Sequence, residues 1–260
     1  MTNSTVESLR QHNADYGIDG SFHTVSARAQ ELILGAASAI LFGCAGVSLA
    51  RGKSVIAVLA SAVNALILTT VAFYLHTTRR GKFDVWAQIL DELKLHGDEN
   101  LLDLGCGRGA VLLAAAKLLP RGRAVGIDLW RPDQTGNSPE ATLSNAALEN
   151  VADRVELRTA DISDLPFDDN SVDVVVSSLV IHNITNSAGR RQAIKEAARV
   201  LRAGGRLAIV DLGFTRQYVK QLHELGLQDV LRRGLGWRMW WGGPWFPTHL
   251  VTATKPPSNL

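Results

Sequence analysis

A chain of 260 residues has room for one α/β domain of about 160 residues and an appendage. A net charge of +2 is too small to point to nucleic acid, and none is expected as a partner. Two cysteines, Cys44 and Cys106, make no disulfide framework and no metal-ligand spacing, which suits a reduced compartment and predicts no metal.

The mean hydropathy of +0.06 is high for a soluble enzyme, and the excess lies near the N-terminus. After a polar segment, 1–30, come two uncharged runs, Leu32–Ala50 and Ser54–Leu75. At roughly 1.5 Å rise per residue each reaches about 30 Å, the thickness of a bilayer's hydrocarbon core. Only Arg51-Gly52-Lys53 separates them, so 31–76 reads as a transmembrane helical hairpin. Small residues recur every four positions: Gly35, Ala39 and Gly43 in one run, Ala57, Ser61, Ala65 and Thr69 in the other. Such stripes let helices approach closely in lipid. The alternative is a pair of buried soluble helices capping the rest of the chain. Asn64, in mid-span, predicts a helix–helix hydrogen bond. Arg28, Arg79, Arg80 and Lys82 flank the hairpin against Arg51 and Lys53 in its turn, which orients both ends to the cytoplasm. A cleaved signal peptide does not fit the long polar lead.

Residues 77–98 read as a linker and an amphipathic helix, with Phe83, Trp86, Ile89, Leu90 and Leu93 on one side. From 99 to 260 strand and helix signals alternate, predicting a parallel sheet covered on both faces. Strands are predicted at Asn100–Leu104, Ala124–Asp128, Val155–Thr159, Val172–Ser177, Arg206–Asp211, about Leu227–Leu231 and about His249–Thr254. Helices are predicted at Ala110–Leu119, Pro139–Asn150, Ala188–Leu201 and near Arg216–Leu225. Arg191, Lys195, Arg199 and Arg202 fall at spacings that put them on one face of the third of these and its first following residue, a solvated face or a contact with an anionic leaflet.

The first strand runs into Leu101-Leu102-Asp103-Leu104-Gly105-Cys106-Gly107-Arg108-Gly109, then an Ala- and Leu-rich helix. Glycines there permit a tight turn and close approach to a ligand, and the helix start favours an anionic group. Gly105-x-Gly107-x-x-Ala110 also fits part of the dinucleotide fingerprint. Asp128 ends the second strand, where a carboxylate can accept both ribose hydroxyls. Asp161 follows the third strand, before Leu165-Pro166-Phe167, and Arg199-Val200-Leu201-Arg202-Ala203-Gly204-Gly205-Arg206-Leu207 reads as helix, turn and strand.

From Asn100 to Asp211 these segments, in this order, resemble the class I S-adenosylmethionine (SAM) dependent methyltransferases, in particular the type 11, UbiE-like group. The resemblance implies an α/β, Rossmann-like fold with a seven-stranded sheet whose last strand is antiparallel. It also implies SAM as cofactor. Asp103, Gly105, Gly107 and Gly109 would meet its methionine end, Asp128 its ribose and Asp161 its adenine. Ser177-Ser178-Leu179-Val180-Ile181-His182-Asn183 stands where the family meets substrate. His182 has a pKa suited to a base if the acceptor loses a proton, and is otherwise a packing histidine. Trp130 and Arg131, in the polar insert 130–138, and Asn183 are candidate substrate contacts. So are Trp237 and Trp241, in a run with Trp240, Trp245, Phe246 and Arg238 that reads as core packing, an apolar substrate pocket or an interfacial belt. A tethered enzyme most readily meets a lipid or other apolar small-molecule acceptor. The alternatives are a nicotinamide-dependent oxidoreductase on a similar fold and a SAM-binding scaffold without turnover.

Overall fold

The computed structural model describes residues 7, 9–20 and 25–257; part of the polar segment 1–30 (1–6, 8 and 21–24) lies outside them. Two helices, α1 (Ala27–Ala50) and α2 (Ser54–His76), form an antiparallel pair around the predicted turn. Ser26 starts α1, its hydroxyl accepting from the Ala29 N–H. Both are long and apolar enough to cross a membrane. Their apolar side chains face outward, with Leu32 74% and Phe42 77% exposed, so the pair is not a buried cap on the domain. The Ser38 hydroxyl donates to Asn64 Oδ1 at 2.7 Å, making Asn64 the predicted interhelical bond. The glycine stripe is not the contact, however. A methyl group at Gly35 or Gly43 would meet nothing within 4 Å, because the face carrying Ala45, Ala57 and Asn64 is the one turned inward.

No linker follows the hairpin. α2 continues through one wide, π-helical turn, Thr77–Gly81, into α3, Lys82–Glu92. Glycine is needed at 81, where a Cβ would lie 1.9 Å from the Arg238 carbonyl oxygen. The five apolar residues predicted on one side of this helix, Phe83, Trp86, Ile89, Leu90 and Leu93, are all buried.

The sheet has seven strands: β1 (Asn100–Leu104), β2 (Arg123–Asp128), β3 (Val155–Thr159), β4 (Val172–Ser178), β5 (Leu201–Asp211), β6 (Gln228–Gly234) and β7 (His249–Thr254). Their order is β3-β2-β1-β4-β5-β7-β6, and β7 runs antiparallel to both neighbours. Side chains alternate across it as the pleat requires. Leu101, Val174 and Val176 join α3 and α4 (Ala110–Lys117) in one core, while Leu102, Leu104 and Val175 join α6 (Ser187–Val200) and α7 (Thr215–Glu224) in the other. α5 (Pro139–Leu148) starts at a Ser138 cap, its side chain accepting from the Ala141 N–H, with Pro139 in the first turn.

Two further readings change in the structure. β5 already pairs at Leu201 with Val172, and the glycine pair lies in an irregularity before Arg206 pairs with Val174. Arg202 therefore belongs to β5 and pairs with Asp173, while Arg199 turns to Glu196 and Asp169. The basic residues thus do not form one helical stripe. Residues 9–20, read only as polar, form a strap on the domain. Glu149 Oε1 accepts from the N–H groups of Asn13 (2.7 Å) and Ala14 (3.0 Å) and from the Tyr16 hydroxyl (3.3 Å). Lys117 holds its other oxygen at 2.7 Å. Those donors outweigh burial and keep the Glu149 carboxyl below its ordinary pKa.

Candidate active site

Open α/β sheets bind ligands at the carboxyl ends of their strands, beside the point where strand order reverses. Here that point lies between β1 and β4, and a cavity of about 760 Å³ opens there. Asp103, Gly105, Gly107, Asp128 and Asp161 all line it, from three successive strand ends.

Asp103 is 1% exposed, and neither carboxylate oxygen makes a hydrogen bond of normal geometry among the described residues, although the backbone N–H of Leu112 faces it. Burial, and then the negative charge of Asp128, push its pKa up to about 8. A carboxylate desolvated this far calls for a cation, since an unpaired buried charge is costly. The ammonium of an amino-acid ligand meets that need, which is the fit the methionine end of SAM requires.

The backbone beyond Asp103 is bent for close approach. Gly105 has φ +73°, and a Cβ there would lie 2.2 Å from Val180. Gly107, at φ +50°, presents its N–H to Asp128 Oδ2 at 2.8 Å. Gly109 is different. It stands at the start of α4 with φ +88°, against Leu113 and Thr142, and is not on the cavity wall. It turns the chain into the helix.

The insert after β2 proves structural in part. Trp130 is not on the cavity wall either, because its indole N–H donates to Thr159 at the end of β3 (2.7 Å). Its backbone N–H instead holds Asp128 Oδ1 at 2.6 Å. Arg131 does line the cavity. Gln134 ties the glycine loop to the strap. Its Oε1 accepts from the Arg108 N–H (2.8 Å), and its Nε2 donates to the Tyr16 carbonyl and to Asp19, each at 2.9 Å. Asp161 Oδ1 is engaged locally by the Ser163 N–H and hydroxyl, yet the residue remains on the cavity wall.

His182 and Asn183 line the cavity from a short 3₁₀ turn, Ile181–Asn183, after β4. The His182 Nδ1 forms a short bond to Asp211, at the end of β5. Asp211 is fully buried and also accepts from the N–H groups of His182 (3.0 Å) and Leu212 (2.8 Å) and from the Tyr218 hydroxyl (3.0 Å). Surrounded by donors, it acts as an acceptor only, so Nδ1 carries a proton and Nε2 is the basic nitrogen. Burial and the neighbouring Asp211 raise the Tyr218 pKa far above its ordinary value, which keeps that hydroxyl a donor.

Part of the cavity lining comes from outside the sheet. Tyr74, in the last turn of α2, Phe83 and Trp86 of α3, and Trp241 meet there. Tyr74 and Trp241 pack edge to face at 5.9 Å, and the Trp86 indole donates to Ser178 (3.0 Å). Trp237 is off the cavity, stacked on His76 at 4.8 Å and 49% exposed. Asp211, Tyr218, Tyr74 and the Asp19–Gln134 link did not stand out in the sequence. An acid at the β5 end was the visible signal for Asp211; a strap contact 115 residues away left none.

Residues 102–209 match the type 11 family described as a methyltransferase domain. That stretch of the chain is similar to a SAM-dependent methyltransferase domain. The likeness supports methyl transfer over the nicotinamide alternative. An arsenite methyltransferase of Halobacterium salinarum is 40% identical over 116 residues, covering 44% of this chain and 27% of its own length. A demethylmenaquinone methyltransferase of Lactiplantibacillus plantarum is 33% identical over 125 residues, covering 48% of this chain. The chain spans 49% of that relative's length, so these likenesses concern the domain. The geranyl diphosphate C-methyltransferase of Streptomyces coelicolor shares the fold, with TM-score 0.55 at 18% identity over 72% of this chain and 82% of that one.

Proposed function

We propose that the protein is a membrane-anchored SAM-dependent methyltransferase acting on a lipid or other apolar small molecule. The hairpin 31–76 is the anchor, with both ends cytoplasmic, and residues 99–260 with the 77–98 helix and the strap form the catalytic domain. One observation carries the reading. The cavity lined by the buried Asp103 is lined also by Tyr74, in the last turn of an outward-facing apolar helix. Cofactor site and candidate membrane span thus share one cavity.

In this reading Asp103 and the Gly105–Gly107 backbone hold the methionine end, Asp128 accepts the ribose hydroxyls, and Asp161 faces the adenine. SAM, when bound, supplies a methyl group activated on a sulfonium sulfur. The protein's remaining work is positioning and proton removal. His182 Nε2 takes the proton of the acceptor's hydroxyl or acidic C–H, and Asp211 stabilises the imidazolium that results. Phe83, Trp86 and Trp241 supply an apolar floor for the acceptor, with Asn183 and Arg131 at its polar margin. Quinone-directed and geranyl diphosphate-directed relatives support an apolar acceptor.

Calorimetry on the full chain tests the cofactor half: SAM binds and NADH does not, and the reverse result rejects it. Sedimentation tests the anchor. The chain stays with membranes through a high-salt, alkaline wash, whereas release into the supernatant makes the hairpin a soluble element.

A further inference from the structure

The loop between β6 and β7 has two sides. Met239 is fully buried and Trp241 lies on the cavity, whereas Trp237, Trp245 and Phe246 remain 49%, 52% and 55% exposed. This loop packs directly on the end of α2. Trp237 stacks on His76, Trp240 meets Phe73 at 5.5 Å, and a Cβ at Gly242 would lie 3.1 Å from Thr70. Beside it the wide turn exposes Arg79 and Arg80, and Arg238 is exposed over the Trp237 ring. Half-exposed rings and arginines therefore gather where the outward-facing apolar surface of the hairpin ends.

Soluble surfaces seldom leave large apolar clusters open to water. Tryptophan, by contrast, favours the bilayer–water boundary, where its ring is part apolar and part hydrogen-bonding. Arginine stems lie along apolar surface while the guanidinium reaches phosphate. Both preferences are met at the same level along α2, next to its last turn.

We propose that loop 237–246 is a second membrane contact, its Trp237, Trp245 and Phe246 rings seated in the headgroup region and Arg79, Arg80 and Arg238 facing anionic phosphates. This rests on the hairpin spanning the bilayer and adds what the domain does once anchored. Tyr74 and Trp241, one on the helix and one in the loop, are thereby held at the bilayer surface. The acceptor end of the cavity then sits where a lipid can enter it without crossing bulk water.

Fluorescence can read this contact in the full chain, because the first tryptophan is Trp86 and the hairpin is silent. The chain is placed in vesicles of phosphatidylcholine and phosphatidylglycerol, the former brominated on acyl carbons just below the headgroup. Bromine should quench the emission, and the W237F/W245F variant should lose about half of that quenching. Unchanged circular dichroism confirms the variant's fold. A vesicle-bound chain whose emission ignores bromine overturns the proposal and leaves the anchor intact. Quenching that the variant keeps in full also overturns it. A chain washed off the vesicles overturns the hairpin reading and this proposal with it.

Discussion

Asp103→Asn should uncouple SAM binding from pH. With its pKa pushed from the usual 3.8 to about 8, the ligand-free carboxyl is mostly protonated at pH 6.5. Pairing with an ammonium returns it to the ionised form, so binding at that pH releases about one proton. Affinity should then rise nearly tenfold per unit from about pH 5 to 7.5 and flatten near 8, where an α-amino group begins to lose its own proton. The sign for folding is opposite. Between the ordinary carboxylate pKa and about 8 the folded chain binds more protons than the unfolded one, so ligand-free stability falls as pH rises through that window. Calorimetry at pH 6.5 in two buffers of different ionisation enthalpy counts the proton directly. Wild type should show about one proton released and Asp103→Asn about none, with weaker binding. A wild-type signal independent of buffer, or the same dependence in the variant, would refute the assignment of Asp103 to the cation.

The other carboxylates separate by role. Asp128→Ala should weaken SAM by roughly tenfold or more, since it removes charge-assisted acceptors and frees the Gly107 and Trp130 N–H groups it fixes; calorimetry measures it. Asp211→Asn should slow methyl transfer by about 10²–10⁴-fold with little change in SAM affinity, because His182 loses its orienting charge. An unaltered rate makes His182 a packing residue. Glu149→Ala leaves Lys117 and two strap N–H groups without their partner, and should cost about 3 kcal/mol in thermal or denaturant unfolding.

Strand positions and the strand-end acids were legible in the sequence because they follow from local periodicity and from the ends of apolar runs; the antiparallel last strand came from the resemblance to the methyltransferases, and the strand order only from the structure. Contacts that join distant segments could not. Asp211 is 29 residues from His182, and neither residue signals the other. Thr77-Thr78-Arg79-Arg80-Gly81 looked like a linker because its charges and glycine break the apolar pattern. The helix persists there because Thr77 and Gly81 are locked to the loop, the Thr77 hydroxyl donating to the Trp240 carbonyl at 2.9 Å. Gly35 and Gly43 misled in the opposite sense. Spacing alone marks a possible face, whereas the Ser38–Asn64 hydrogen bond decides which face is used. The aromatic run offered three readings because composition cannot say which way each ring turns; Trp241, Trp240 and Trp237 end up on the cavity, on Phe73 and on His76 respectively.

The central claim is that this active site works on a molecule dissolved in the membrane. SAM labelled in its methyl group, incubated with the full chain in vesicles made from a total lipid extract, tests it most directly. Label should appear in the organic phase, depend on His182, and be absent when a water-soluble extract replaces the lipid. Label that enters only the water-soluble fraction would contradict the account.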